Sequence, residues 1–324
     1  MIYGGRVPRV SVIIPAYNSA ATIEATIASI AAQTFEDWEI VVGDDASTDD
    51  TAAVARAAAP RVTVVTGSDN GGPAAGRNLA IGVAQGELLA LLDADDRWLP
   101  DYLEAQVGLY DASIAGRRRV GIVACDAYVE TPDGTRHGTY SARVGTLDEQ
   151  ITLDRLLEGN PIFVSALVPR ALVTEVGGFS TETWGSEDHD LWLRIVERGY
   201  EVAVNPRPLV VYREAQGSVS ASRVGMARTS QATYRRALER GRLSPRQARI
   251  ARRNLRLHRA VETLERVAER RADGDGPGIG DVPALARSAV AMGAYGLAHP
   301  RRWGAWARAL SQGRLAAWRP GRSA

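Results

Sequence analysis

Between Val10 and Asp126, short aliphatic runs alternate with amphipathic stretches. That alternation restricts the chain to a sheet clothed by helices. Val10–Pro15, Trp38–Gly43, Val62–Thr66, Leu88–Leu92 and Val120–Cys125 read as strands. Ala20–Gln33, Thr48–Ala59 and Gly76–Ala84 read as helices, the first with Ile23, Ile27 and Ile30 on one face. Strands that are apolar throughout are buried on both sides, which is the pattern of a parallel sheet between helical layers. The expected class is α/β with a Rossmann-like, mostly parallel sheet.

After Asp126 the alternation stops. Thr131-Pro132-Asp133-Gly134 is a turn signal between polar stretches and predicts a hairpin. A helix at Ile151–Glu158, a strand at Ser165–Pro169 and a helix at Asp188–Arg198 follow, then two short strands at Val202–Val204 and Leu209–Tyr212. From Val224 only helical periodicity remains. Ser244-Pro245 opens a helix as N-cap and first helical residue. Ile250, Leu257, Val261, Leu264 and Ala268 fall on one of its faces. A Gly-rich break at 273–281 precedes a last stretch carrying Trp303, Trp306 and Trp318. The expected division is an α/β unit over 1–222 and a helical extension over 223–324.

The formal charge of the 324 residues is +1, but it is unevenly spread. Residues 225–324 hold 21 Arg against 7 Asp plus Glu, a net +14, which leaves −13 on residues 1–224. Such a basic segment favours an acidic partner. Arg interleaved with Trp suits an anionic membrane surface, and a solvated helical face is the plainer explanation. No nucleic-acid-binding motif accompanies the charge, so nucleic acid is not expected. The single cysteine, Cys125, excludes an internal disulfide and a Cys-based zinc site, and the four His residues are widely spaced. No signal peptide or spanning helix is visible, and Ser288–Ala298 is far shorter than the ~20 residues a bilayer needs. The expected location is cytoplasmic, with peripheral attachment to the inner membrane face as an option.

Leu92-Asp93-Ala94-Asp95-Asp96 closes the apolar run from Leu88. Carboxylates this close repel one another, and a hard divalent cation relieves the repulsion while recruiting substrate phosphate. Mg²⁺ or Mn²⁺ at the carboxyl edge of a parallel sheet is the chemistry this placement suggests. An Asp-rich turn capping the next helix is the competing explanation. Other strand ends are equally polar: Pro15-Ala16-Tyr17-Asn18, Asp44-Asp45-Ala46-Ser47, and Gly71–Asn78 with Arg77. A carboxylate can accept the N3 proton of uracil, an aromatic ring can stack on the base, and Arg can pair with a diphosphate. Capping by Asp45–Ser47 and a tight turn at the glycines account for single motifs, but less well for their convergence on one edge.

Val10–Thr51 (VSVIIPAYNSAATIEATIASIAAQTFEDWEIVVGDDASTDDT) resembles the opening of the inverting family 2 glycosyltransferases, which have the glycosyltransferase A-type fold. The resemblance continues in GRNLAI at Gly76–Ile81, QGELLALLDADDRWLP at Gln85–Pro100 and GGF…SEDHDLWLRIVERGYEV at Gly177–Val202, covering about two-thirds of the chain. It implies a nucleotide-diphospho-sugar transferase sheet. Tyr17 would stack beside the pyrimidine base with Pro15 shaping the strand exit, Asp45 would bond the base, and Arg77 would approach base and diphosphate. Asp93 and Asp95 would form the DXD pair, Asp95 nearer the metal and Asp93 toward the ribose or a metal-bound water. Asp96 would support the loop or the sugar. Asp188 would be the catalytic base, with capping as its structural alternative, and Glu187 is divided evenly between the two roles. Trp184 could line the acceptor cleft, whereas Trp192 and Leu193 belong to the core.

Two departures stand out. His189 occupies a position where many members have an aromatic residue, and it is expected to make local hydrogen bonds. Tyr212-Arg213 is followed by Glu214 and Ala215, where many members carry a His two residues beyond the Arg. The third metal ligand is therefore open, with Glu214 or Gln216 as substitutes. The resemblance implies transfer from a nucleotide sugar, first of all a UDP sugar, to a cell-surface glycan or lipid-linked acceptor in polysaccharide biosynthesis. The rivals are a dTDP- or GDP-sugar donor and a non-catalytic nucleotide-sugar-binding protein. A dinucleotide-dependent dehydrogenase would need GxGxxG after the first strand, where Pro15-Ala16-Tyr17-Asn18 stands instead.

Overall fold

The computed structural model describes residues 7–144, 147, 150–214, 223–272 and 288. Four strands, β1 (Val10–Ala16), β2 (Trp38–Asp44), β3 (Val62–Thr66) and β4 (Leu88–Leu91), pair in parallel. They alternate with α1 (Ile23–Ala31), α2 (Thr51–Ala58) and α3 (Pro73–Val83). The nine-stranded sheet continues through β8 (Leu167–Pro169), β6 (Val120–Glu130), β9 (Glu201–Arg213) and β5 (Arg97–Trp98), with β7 (Arg136–Thr139) added to β6. β8 is antiparallel to both β4 and β6, so β6 and β9 keep the direction of β1–β4.

Because the central strands are apolar on both faces, they divide the core in two. Val12, Ile14, Leu88 and Ala90 pack with Ile23, Ile27 and Ile30 of α1 and with Tyr102 and Leu103 of α4 (Tyr102–Ala115). Ile13, Leu89 and Leu91 face the other way. They meet Ala80 of α3, Leu156 and Leu157 of α6 (Leu153–Glu158), and Leu191, Trp192 and Ile195 of α8 (Glu187–Val196). Burying each such side chain contributes about 1.5–3 kcal/mol. Tyr234 and Ala237 of α9 (Arg223–Glu239) and Ala251 and Leu255 of α10 (Pro245–Ala272) join this second layer.

Several elements differ from their expected form, each for a local reason. The two strands expected at 202–204 and 209–212 are one, because register shifts opposite Cys125–Ala127 carry β9 through Pro206 and Pro208. Proline cannot donate to a ladder, and a bulge absorbs the missing bonds. β6 runs to Glu130, past the expected end at Cys125. Asp126 is tolerated inside it because its carboxylate accepts from the amides of Ala127 and Ser141 and from the Ser141 hydroxyl. α4 escaped detection because its buried positions include polar Gln106 and Ser113 among Tyr102, Leu103 and Val107. The hairpin at Thr131–Gly134 forms as expected between β6 and β7. In the first half of α10 the buried face is rotated by one residue, with Ala251, Asn254 and Leu255 inward and Ile250 and Leu257 half-buried; farther along Ala260 and Val267 are buried and Val261 and Leu264 half-buried. The small Ala251 and the bond from Asn254 Nδ2 to the Leu157 carbonyl (2.7 Å) favour that rotation. The side chain of Ala268, the break at 273–281, Ala215, Gln216 and Trp303, Trp306 and Trp318 lie outside the described residues. Among the described residues, no helix is long and apolar enough to cross a membrane.

α3 approaches the carboxyl edge of the sheet more closely than side chains normally allow. A Cβ on Gly43 would sit 1.8 Å from the Gly76 carbonyl oxygen, and one on Gly76 would lie 3.2 Å from Pro15 Cβ. Gly43→Ala should therefore push α3 off β2 and destabilise the fold by at least about 1–3 kcal/mol in urea titration. An unchanged midpoint would mean that this contact is not tight.

Candidate active site

The carboxyl ends of β1, β2 and β4 lie side by side, with Pro15 opposite Gly43 and Ala16 opposite Asp44. The loops leaving β1 and β2 are tied together. Asn18 Oδ1 accepts from the Thr48 amide at 2.8 Å, and the Asn18 amide donates to Ser47 Oγ at 3.0 Å. Ala46 stands between them at φ 60°, a left-handed conformation that a residue with a Cβ adopts only when its surroundings enforce it. α2 begins only at Thr51, so Asp45 does not cap it. Instead the buried Asp45 carboxylate accepts from the amides of Gly71 (3.1 Å) and Gly72 (2.6 Å), drawing the glycine loop before α3 onto the site. Trp184 covers that loop: its ring lies 2.9 Å from where a Gly72 Cβ would stand. Tyr17 and Trp184 are both exposed at the rim.

Beneath this rim lies the buried Arg77, only 2% exposed. Its Nη1 donates to Glu187 Oε1 and its Nη2 to Asp93 Oδ1, both at 2.6 Å, and the guanidinium sits over the Phe179 ring. Burial works against the charge, but Asp93, Glu187 and Asp188 outweigh it, so the guanidinium pKa is raised. Glu187 also accepts from the Gly185 amide at 2.6 Å. Asp188 is only partly buried. One of its carboxylate oxygens accepts from the His189 amide (2.7 Å) and the other from Asn160 Nδ2 (2.9 Å). Burial and then Glu187 push its carboxyl up to about 7, against the smaller pull of the His189 amide and Arg77.

The remaining carboxylates of the acidic turn diverge. Asp96 is buried, its Oδ1 accepting from the Arg213 amide at 3.0 Å, while Thr26 Oγ1 donates to the carbonyls of Ala94 and Asp96. Burial and the two neighbouring carboxylates raise its pKa. Asp95 borders a cleft of about 330 Å³ with Arg97, Glu130, Asp133 and Arg213. Burial, and after it Asp93, push its carboxyl up to about 6. Arg77 neutralises Asp93 from below and Arg213 draws on Asp95, yet the Asp95 carboxyl stays raised, and two partly exposed carboxylates this close fit a divalent cation. Among the described residues no third His, Cys, Asp or Glu completes a ligand cluster. Glu214 is paired with Arg143.

His189 makes the expected local bond, its buried Nε2 lying 2.8 Å from the Leu156 carbonyl, and burial lowers its pKa to about 4. Trp192 and Leu193 are in the core, as expected. Other residues went unrecognised. Asn160, just beyond α6, has no motif around it. Tyr140, Phe163 and Tyr212 form an aromatic cluster with centroids 5.1 and 5.3 Å apart. Burial and the nearby Asp188 raise the Tyr140 pKa. Asp190 is fully buried against Arg194 (2.9 Å) and Arg240 (3.0 Å), pinning α8 to α9.

The fold is of the glycosyltransferase A type. Residues 11–154 match the model described as Glycosyl transferase family 2, and residues 88–238 match Glycosyl transferase family group 2. The chain is 30% identical over 66% of its length to the UDP-Glc:alpha-D-GlcNAc-diphosphoundecaprenol beta-1,3-glucosyltransferase WfgD of Escherichia coli, covering 80% of that protein. It is 33% identical to the succinoglycan biosynthesis protein ExoO of Rhizobium meliloti, over 66% of this chain and 63% of ExoO. With the uncharacterized protein y4gI of Sinorhizobium fredii it shares 34% identity over 72% of its length, but spans only 25% of that longer protein. The mannosyltransferase PcManGT from Pyrobaculum calidifontis, solved with GDP-Man and Mn²⁺, superposes with a TM-score of 0.61 at 25% identity, over 98% of this chain and 83% of that one. The chain belongs to glycosyltransferase family 2.

Arg77 is the charge that two otherwise repelling carboxylates share. Arg77→Met should leave Glu187 buried and uncompensated, costing about 3–5 kcal/mol in chemical denaturation. Adding Glu187→Gln should recover part of that loss. No recovery would mean that the pair does not couple.

Proposed function

We propose that the chain is an inverting, metal-dependent glycosyltransferase. It takes a sugar from a nucleotide-sugar donor, first of all a UDP sugar, to a hydroxyl of a glycan or lipid-linked acceptor. The observation that carries this is Asp188, a partly exposed carboxylate next to Glu187, which Arg77 ties to Asp93 of the acidic turn. Support for the substrates comes from WfgD, whose name specifies UDP-Glc, a diphosphoundecaprenol acceptor and a β-1,3 product. A GDP sugar is the second reading, favoured by the GDP-Man complex of PcManGT.

In this reading Pro15 and Tyr17 flank the base, Asp45 uses its remaining lone pairs on it, and Asp93 reaches the ribose or a metal-bound water. Asp95, with Asp93, would hold Mn²⁺ or Mg²⁺, whose chemistry when bound is to neutralise charge on the diphosphate. Arg77 acts from below by fixing Asp93 and Glu187. Asp188 accepts the proton of the acceptor hydroxyl as that oxygen attacks the anomeric carbon. The bond from that carbon to the diphosphate breaks on the opposite side, which inverts the configuration. Asp96 supports the loop through Arg213, Trp184 closes the rim over Gly72, and the aromatic cluster near Asp188 offers apolar faces for a pyranose. Residues 1–222 are the catalytic unit and 223–324 the helical extension, working in the cytoplasm or at the inner membrane face.

The base works only when ionised, so kcat should rise with pH through a half-point near 7. Asp188→Asn should lower kcat by roughly 10²–10⁴ with donor affinity retained. Turnover above about a tenth of wild type would reduce Asp188 to a structural role. Asn160→Ala removes a donor to the ionised form and should move the half-point to higher pH without changing the donor KM. Asp95→Ala should weaken Mn²⁺-dependent UDP binding in calorimetry while leaving the circular dichroism spectrum unaltered. Equal UDP binding with and without metal would contradict the cation's role.

A further inference from the structure

Apart from the candidate active site, the described surface carries a row of arginines along α10. Arg246, Arg249, Arg252, Arg253, Arg256 and Arg259 line one groove. At 3.6 residues per turn they occupy about a third of the helix circumference, over a length of roughly 20 Å. Two acids answer them, both from α6: Asp154 lies 3.3 Å from Arg246, and Glu158 lies 3.9 Å from Arg253. Arg249, Arg252, Arg256 and Arg259 are exposed, and their side chains have no ion pair or hydrogen bond among the described residues. Arg253 Nε and Nη2 are buried without a hydrogen-bond acceptor.

Guanidinium groups stay charged at any physiological pH, so their mutual repulsion is permanent unless an anion meets them. An array this long, on an exposed helix face and with few acids beside it, fits a surface carrying many phosphates rather than one small anion. We propose that this face of α10 docks on an anionic phospholipid bilayer. The face is also directly connected to the site. α10 grips α6 through Asn254 and Leu157 and through Gln247 and Asp154 (2.9 Å). α6 accepts the His189 bond at Leu156, and Asn160, two residues past α6, holds Asp188. Docking would therefore fix the position of the cleft relative to the membrane, and an acceptor carried there is a consequence that rests on the proposed transfer; the docking itself does not.

The test is co-sedimentation of the full chain with vesicles of phosphatidylglycerol and phosphatidylcholine, and with vesicles of phosphatidylcholine alone. Binding is expected to the first only, at low salt, and should be lost near 1 M salt, where the Debye length falls to about 3 Å. Each basic residue at such a surface is worth roughly fivefold in partitioning. R249Q/R252Q/R256Q/R259Q should thus bind at least about 100-fold more weakly. The four-lysine variant at the same positions should retain binding, and both variants should hydrolyse donor like the parent protein. Millimolar inorganic phosphate should not displace the protein from vesicles; displacement would make the groove a small-anion site and overturn the proposal. Absence of wild-type binding would overturn it too, as would undiminished binding by the four-glutamine variant. Loss confined to R301Q/R302Q/R308Q would place the contact in the last residues of the chain instead.

Discussion

One guanidinium organises the chemistry of this molecule. Arg77 projects from α3 and is almost completely buried, with one Nη on Asp93 after β4 and the other on Glu187 at the start of α8. Without it, Asp93, Glu187 and Asp188 would face one another unneutralised. With it, two carboxylates are fixed in place, and Asp188 keeps a raised pKa because burial and Glu187 still dominate its surroundings. The close approach of α3 to β2 at Gly43 and Gly76 brings the arginine to the right depth. The edge of the sheet, the α3–β2 contact and the start of α8 are thereby coupled through one side chain.

The two sides of the site are also built differently. On the β1–β2 side the groups are held by backbone amides: Asp45 by Gly71 and Gly72, Asn18 by Thr48. Such fixed dipoles cost little to reorganise when a ligand arrives. On the α8 side the hold is ionic and deeper. Asp190 on the buried face of α8 lies among Arg194, Arg236 and Arg240, and Glu197 continues the network to Arg240. Breaking any one of these pairs leaves a buried charge, so α8 is held rigidly while the rim residues Tyr17 and Trp184 remain exposed.

Much of this was legible in the sequence where one local rule decides the outcome. β3 begins and ends where its aliphatic run does, and the turn at Thr131–Gly134 makes its hairpin. The parallel order of β1–β4 follows from strands that are apolar on both faces. What stayed hidden depends on partners distant in the chain. β8 enters the sheet antiparallel between β4 and β6, a choice no segment of three residues can signal. β9 continues through two prolines only because β6 shifts register beside it. Around the acidic turn, the polar strand ends that meet at one sheet edge were readable, but Arg77's depth was not. Nor was Asn160's reach to Asp188, because both depend on how α3, α6 and α8 pack together. The rotation of α10 has the same origin: Asn254 finds the Leu157 carbonyl only once α6 is in place.

The central claim is that a single base opposite the leaving nucleotide enforces inversion. It can be tested without knowing the acceptor, by letting water take that place. Proton NMR would follow the sugar released from UDP-Glc in the presence of diamagnetic Mg²⁺, recorded before mutarotation scrambles the anomers. The account predicts that the β anomer appears first and that its release is lost in Asp188→Asn. Initial release of the α anomer, or equal release by the variant, would contradict it.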